Sequence, residues 1–129
     1  MDIKAQHRVN DGTLVYAQHQ SATTGTPMRF SIFTPPGDGP FPYLIWLSGL
    51  TCTEDNFTTK AGAYAAAAAF QVAIVAPDTS PRGEGVADDP AYDLGQGAGF
   101  YIDATQMPWA PHFKMESYVT RDLIAAVEG

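Results

Sequence analysis

Two short apolar runs on either side of an alanine-rich segment constrain the fold of this chain more than any other feature. The first run, residues 43–47, ends at Ser48-Gly49, and the second, residues 72–76, ends at Pro77. Short apolar runs that stop at turn-forming residues are typical of strands buried on both faces of a sheet. The pattern therefore predicts two parallel strands, the first of them central in the sheet.

The segment between these runs predicts a crossover helix. Residues 56–70 include a run of alanines with strong helix propensity, and Thr53 and Asp55 are both candidate N-caps for its start. Strand, helix and strand together make a βαβ unit, for which a right-handed crossover is expected.

Two further strands are predicted before this unit, at residues 14–19 and 28–34. The turn-forming residues 21–27 separate them, which indicates a hairpin. In the second strand Met28, Phe30 and Ile32 alternate with Arg29 and Ser31. Alternation of this kind predicts one buried face and one face in water.

The second half of the chain begins with a long irregular segment, residues 78–111, that is rich in glycine and proline. Long loops in small domains are often shaped around a site. A helix is predicted at residues 115–127, with one apolar face formed by Tyr118, Val119, Leu123, Ile124 and Val127. In a doubly wound sheet such a helix leads into another parallel strand, and none follows before Gly129. We therefore expect an incomplete α/β domain.

Composition narrows the classes of partner and compartment. The chain is 45% hydrophobic over 129 residues, which fits one folded domain. Its net charge of -7 disfavours binding to nucleic acid or anionic membranes. The single cysteine, Cys52, excludes an intramolecular disulfide and fits a reducing, cytoplasmic setting. No secretion signal and no apolar run long enough to span a membrane is recognised.

Three segments resemble S-formylglutathione hydrolases of the esterase D family: residues 46–54 with Asn56-Phe57, residues 76–83, and residues 97–105. Pro108-Trp109 and residues 117–120 continue the similarity in the same order. The resemblance implies an α/β-hydrolase fold, of which residues 1–129 are the N-terminal part of a single domain. It also implies hydrolysis of the thioester S-formylglutathione to glutathione and formate in formaldehyde detoxification, with some activity on small carboxylic esters. It calls for no cofactor or metal and suggests homodimers.

The same resemblance implies a Ser/Asp/His triad that these residues do not supply. The family's nucleophile lies in a Gly-x-Ser-x-Gly elbow after the helix that resembles residues 115–127, and that motif is absent here. The missing C-terminal half is therefore an expected partner, and the chain alone is expected to be inactive. An inactive α/β fragment that serves as a binding or assembly module is the alternative.

Gly49 and Leu50 are the candidate catalytic residues. Acyl transfer needs two N–H donors aimed at the developing oxyanion, one of them from the loop after the third strand of the fold. The resemblance assigns this place to Gly49-Leu50, with the Leu50 N–H as donor. Cys52, Phe100, Tyr101 and Trp109 are the candidate substrate-binding residues, and core packing is an equally good interpretation for the three aromatic residues.

Several other residues have competing interpretations. Cys52 as a nucleophile is the weakest, because none of the histidines (His7, His19 and His112) matches a catalytic position. Gly95-x-Gly97-x-Gly99 lacks the strand and helix that a dinucleotide loop requires. Asp78, Arg82 and Asp103 lie where ligands bind in open sheets. We expect instead that Arg82 pairs with one of these acids and pins the loop.

Overall fold

A five-stranded mixed β-sheet forms the centre of the computed structural model, which describes residues 1–129. The sheet has the order β1-β2-β3-β5-β4, and only β4 and β5 are parallel. The other pairs (β1 with β2, β2 with β3, β3 with β5) are antiparallel, so the parallel sheet that we expected is limited to one pair. The strands are β1 (Asp2–Val9), β2 (Gly12–Gln20), β3 (Pro27–Thr34), β4 (Tyr43–Ile45) and β5 (Ala73–Pro77).

The hairpin of β2 and β3 confirms the sequence prediction, whereas β1 was not predicted. β1 is mostly polar and exposed, so it lacks the apolar alternation by which a strand is recognised. The turn after it, Asn10-Asp11, has φ angles of 47° and 62°. Two positive φ angles define the type I′ turn of two-residue hairpins, which Asn and Asp favour. The Asn10-Asp11 dipeptide was therefore the sequence signal from which a hairpin, and with it β1, could have been predicted.

The predicted crossover helix is two helices, α1 (Glu54–Lys60) and α2 (Tyr64–Phe70). A single helix over residues 56–70 was wrong because Gly62, at φ 63°, takes a left-handed conformation that ends the first helix. Thr53 is the N-cap: its side chain accepts from the Asp55 N–H, and the Asn56 side chain accepts from the Thr53 N–H in a capping box.

The predicted C-terminal helix is confirmed and contains a π-helical turn. It consists of α3 (Met115–Ser117), the π-helical turn Tyr118–Asp122 and α4 (Leu123–Glu128), which follow one another without interruption. Residues 78–114, as expected, form no helix or strand apart from a bridge between Asp103 and Lys114. None of the helices is long and apolar enough to cross a membrane.

Helices cover both faces of the sheet and create two core clusters. One cluster packs the C-terminal helix against Phe30 and Val75, and the other packs α2 against Phe33 and Ile74. The prediction that β3 has a face in water was therefore wrong. Phe33 is fully buried, and the buried Ser31 is hydrogen-bonded to Thr58 of α1 (Oγ to Oγ1, 2.6 Å).

The central position predicted for residues 43–47 was also wrong. Only residues 43–45 form a strand, β4, which pairs with β5 alone and lies at the edge of the sheet. Leu44 is 63% exposed, Trp46 49% and Leu47 41%. An apolar run indicates that a strand is buried, but it does not show which element buries it. In residues 1–129 no strand pairs with the outer edge of β4.

Candidate active site

A tight turn, Gly49–Cys52, follows β4 at the carboxyl end of the parallel strand pair. The Cys52 N–H donates to the Gly49 carbonyl over 3.3 Å, and Thr51 has a φ of 64°. Positive φ at the third position alone is the signature of a type II turn. Ligands bind at this end of the strands in open α/β sheets.

The turn leaves the Leu50 N–H without an acceptor in the chain. The Gly49 carbonyl is directed at the Cys52 N–H, and in a planar trans peptide the next N–H points the opposite way. Leu50 as a whole is 42% exposed. This is the N–H that the family resemblance predicts as an oxyanion donor, and that role stays a prediction.

The segment 97–101 braces the turn from one side. The Thr51 N–H donates to the Gly97 carbonyl over 2.8 Å, and the Tyr101 hydroxyl donates to the Ser48 carbonyl over 2.5 Å. Gly99 lies against the Gly49-Leu50 peptide so closely that a Cβ there would be 3.1 Å from the Gly49 carbonyl carbon. A side chain here would crowd the turn and would also be strained, because Gly99 has a φ of 73°.

Arg82 braces the turn from the other side. Its guanidinium forms an ion pair with Asp78 (Nε to Oδ2, 2.8 Å) and donates from Nη2 to the Cys52 carbonyl over 3.0 Å. Thr79 Oγ1 donates to the same carbonyl over 2.5 Å. The prediction that Arg82 pairs with an acid and pins the loop is confirmed, and Asp78 is that acid.

Asp103 belongs to a different contact. It accepts hydrogen bonds from the Ser117 N–H, at 3.0 Å, and from the Ser117 hydroxyl at the start of the C-terminal helix. These bonds lower the pKa of Asp103 below its ordinary value. Its role in the structure is to cap that helix.

Two ionisable groups near the turn have raised pKa values. Burial, with Asp78 and Cys52 nearby, raises the pKa of Tyr101 to about 12, so its hydroxyl stays protonated and remains a donor. Burial and the neighbouring Asp78 raise the pKa of Glu54. The Glu54 carboxyl is buried, and its Oε2 has no hydrogen-bond partner.

The predicted substrate-binding residues fall into three places. Phe100 and Trp109 line an apolar cavity of about 160 Å³, together with Phe113 and the backbone of Gly99. Cys52 lies in a separate open depression with Gly49 and with Trp46, whose ring stacks on Phe57 at 4.7 Å. Tyr101 lines neither and turns instead toward Ser48 and the core. No local sequence pattern indicates the hydrogen bond from the Tyr101 hydroxyl to the Ser48 carbonyl.

The histidines lie in contacts away from Cys52. His19 is hydrogen-bonded to the Tyr118 hydroxyl at 2.8 Å, and His112 to the Thr24 carbonyl at 2.7 Å. No histidine lines the depression that contains Cys52.

In the glycine-rich loop the Gly97 N–H donates to Ser80 Oγ over 2.7 Å, so this N–H already has an acceptor within the chain.

The mixed sheet, the helices on both of its faces and the donor turn after β4 define an α/β-hydrolase fold. A family model described as "Putative esterase" matches residues 21–129. An S-formylglutathione hydrolase of Paracoccus denitrificans (strain Pd 1222) is 62% identical over 108 residues, which cover 82% of this chain and 39% of that protein.

Solved structures agree with this similarity. An S-formylglutathione hydrolase from Agrobacterium tumefaciens is 40% identical and superposes with a TM-score of 0.97 over 99% of this chain and 47% of its own. A ferulic acid esterase at 15% identity shares the fold, with a TM-score of 0.64 over 91% of this chain and 42% of its own. The chain thus belongs to the esterase family, where it corresponds to the N-terminal half of an S-formylglutathione hydrolase and spans less than half the length of these relatives.

Proposed function

We propose that this chain forms the oxyanion-hole side of a serine hydrolase that converts S-formylglutathione to glutathione and formate. The observation that carries the proposal is the free Leu50 N–H, held in a braced turn at the carboxyl end of β4. Both relatives named above as S-formylglutathione hydrolases support the choice of substrate. The nucleophile, its base and the acid come from the part of the relatives that this chain does not span.

The Leu50 N–H acts when charge develops on the substrate oxygen. A serine hydroxyl attacks the thioester carbonyl carbon, the carbonyl oxygen becomes an oxyanion, and the C–S bond then breaks to release glutathione as the protonated thiol. Water hydrolyses the formyl ester and releases formate. Donors fixed in advance at the oxyanion lower the barrier to both steps, and Leu50 supplies one of the two.

The two depressions beside the turn suit the two ends of an ester or thioester. A cavity of about 150 Å³ is large enough for a benzene-sized ring, so the one lined by Phe100 and Trp109 suits the apolar group of a small carboxylic ester. Cys52 lies in the other depression, beside Gly49. A free thiol and a glutathione thioester both suit a reducing compartment, so the proposal includes a cytoplasmic location and a role in formaldehyde detoxification.

The test is to remove the Leu50 N–H without changing the turn. Proline is favoured at the second position of a type II turn and has no N–H, so Leu50→Pro preserves the turn and replaces the donor hydrogen with the ring Cδ. The enzyme used joins residues 1–129 to the C-terminal part of the Paracoccus denitrificans relative. Loss of one oxyanion donor lowers kcat by about 10²- to 10³-fold, and we expect that loss in steady-state kinetics with S-formylglutathione.

Leu50→Ala is the matched control because it shortens the side chain and keeps the N–H. Because it keeps the backbone donor, it is expected to retain kcat within about 3-fold. Equal kcat values for Leu50→Pro and Leu50→Ala would contradict the assignment of the donor. An inactive joined enzyme with a native-like circular dichroism spectrum would contradict the proposed reaction.

The exposed edge of β4 favours one alternative, a catalytically inactive assembly module. Leu44, Trp46 and Leu47 present apolar surface beside unpaired strand edges, which promote self-association. In that case the chain alone forms a defined oligomer, and the joined enzyme has no activity. The kinetics above distinguish the two functions, because an active joined enzyme would contradict the inactive assembly module.

A further inference from the structure

Each carbonyl that flanks the Gly49–Cys52 turn is held by a side chain from a distant loop. The Ser48 carbonyl, just before the turn, accepts from the Tyr101 hydroxyl at 2.5 Å. The Cys52 carbonyl, at its end, accepts from Arg82 Nη2 at 3.0 Å and from Thr79 Oγ1 at 2.5 Å. Between these two points the Leu50 N–H makes no hydrogen bond of its own. Its direction is therefore set by the groups that hold the two ends.

We propose that Tyr101 and Arg82 are positioning residues for the oxyanion donor, fixing the peptide units on either side of Leu50 so that its N–H keeps a single direction. The inference rests on the proposed function of Leu50. It assigns to Tyr101 a role other than lining a substrate pocket, and to Arg82 a role beyond its ion pair with Asp78.

Both side chains are suited to this task. The Tyr101 ring packs against the core cluster around Phe30 and Val75, so its hydroxyl is presented from a fixed base. Arg82 is oriented by its two bonds from Nε to Asp78, at 2.8 and 3.1 Å, and the Asp78 side chain is 9% exposed. A guanidinium held in this way by a carboxylate loses little further freedom when it binds a carbonyl.

Tyr101→Phe in the joined enzyme tests the proposal because it removes one hydroxyl and keeps the ring. A donor that is displaced but still present costs less than one that is absent, so kcat is expected to fall on the order of 10-fold while KM changes less than about 2-fold. Arg82→Lys keeps the positive charge and removes the planar guanidinium with its paired N–H donors. For this variant too we expect kcat to fall while KM changes little.

Tyr118→Phe is the matched control for a purely structural effect. It removes a hydroxyl from another core tyrosine, which is hydrogen-bonded to His19 at 2.8 Å and not to the turn. We expect it to lower the unfolding midpoint and to leave kcat unchanged. If Tyr101→Phe and Tyr118→Phe both lower the midpoint and neither changes kcat, Tyr101 has no positioning role and the proposal is overturned.

The two proposals fail in distinguishable ways. Loss of kcat in Leu50→Pro with normal kcat in Tyr101→Phe and Arg82→Lys overturns the positioning role alone. If the joined enzyme is inactive, amide hydrogen exchange of the 129-residue chain still tests the brace. The Thr51 N–H, bonded to Gly97, is expected to exchange about 10-fold faster in Tyr101→Phe because its local opening is easier. An unchanged exchange rate would overturn the proposal.

Discussion

Thr51 occupies a backbone conformation that β-branched residues rarely adopt. Its φ is 64°, and the conformation is maintained by the Thr51 N–H bond to Gly97 and by the bonds to the Cys52 carbonyl that follows it. Non-glycine residues held in the left-handed region cost about 1–3 kcal/mol each. Strain of this kind persists only where surrounding contacts determine the backbone, as they do around this turn.

Thr51→Gly is expected to stabilise the chain. Relief of the left-handed strain outweighs the added entropy of glycine in the unfolded state, so the free energy of unfolding should rise by about 1 kcal/mol. Urea unfolding followed by circular dichroism measures the change. Thr59→Gly, on the exposed side of α1, is the control and should be neutral or destabilising. A lower unfolding free energy for Thr51→Gly would contradict the account of strain.

The sequence allowed part of the candidate site to be predicted. The family resemblance of the segment around Gly49 and Leu50 pointed to the Leu50 N–H, which makes no hydrogen bond in the structure; its role as an oxyanion donor stays a prediction. The conformation of Thr51 and the hydroxyl bond of Tyr101 could not be predicted in this way. Both depend on contacts between loops that are far apart in the sequence, and no local pattern records such contacts.

Strands and helices were predicted where periodicity and end signals agreed. β2, β3, β5 and the C-terminal helix follow from apolar spacing and turn residues, and Thr53 followed from capping preferences. The failures concern how elements are covered: apolar spacing indicates that a face is buried but not which element buries it. For this reason we predicted that one face of β3 is exposed to water, whereas α1 and α2 cover it. We also predicted β4 at the centre of the sheet, whereas it forms an edge.

The π-helical turn is tied to the loop between β2 and β3 through Asp122. Its carboxylate accepts hydrogen bonds from Ser21 Oγ at 2.5 Å and from the N–H and hydroxyl of Thr23, at 3.0 and 2.8 Å. Burial acts to raise the pKa of Asp122, but these bonds outweigh it and hold the pKa below its ordinary value. The contact therefore stabilises the fold only while Asp122 is ionised.

The sign of this effect gives a prediction for acid unfolding. A carboxyl whose folded pKa lies below the unfolded value of about 3.9 contributes its full stability above that pH and loses it as the pH falls through the folded pKa. We expect Asp122→Asn to lower the free energy of unfolding at pH 7 and to weaken its decline below about pH 4. Urea unfolding at pH 7 and pH 3 measures both. Asp38→Asn, at an exposed carboxylate without a hydrogen bond, is the control, and equal pH dependence in the two variants would contradict the prediction.

At the level of the whole molecule, one side of the sheet is left with apolar surface. Leu44 on β4 is 63% exposed and Phe70 at the end of α2 is 79% exposed, next to the unpaired edge of β4. Exposed strand edges with apolar side chains pair readily with other chains. The homodimers suggested by family resemblance remain a proposal, and this edge is a separate route to association for the 129-residue chain alone.

The chain by itself is therefore expected to self-associate through the β4 edge. Leu44→Lys places a charge on that edge and should shift the chain toward monomer, because charged side chains protect edge strands from pairing. Sedimentation equilibrium over a concentration series measures the shift. Tyr92→Lys, at an exposed large side chain outside the sheet, is the control. Equal association in both variants, or a monomeric unmodified chain, would show that the edge is not the contact.

The bracing of the Gly49–Cys52 turn also has a consequence for biosynthesis. Every hydrogen bond described for the turn joins residues between Ser48 and Tyr101. A ribosome that has released Tyr101 has therefore released every hydrogen-bonding partner of the turn. The core cluster on which the Tyr101 ring packs is still incomplete at that point, because it also includes Met115, Tyr118 and Leu123. We therefore expect the turn to become rigid only when the C-terminal helix has been synthesised and has packed against the sheet, so that the last helix of the chain completes a loop synthesised long before it.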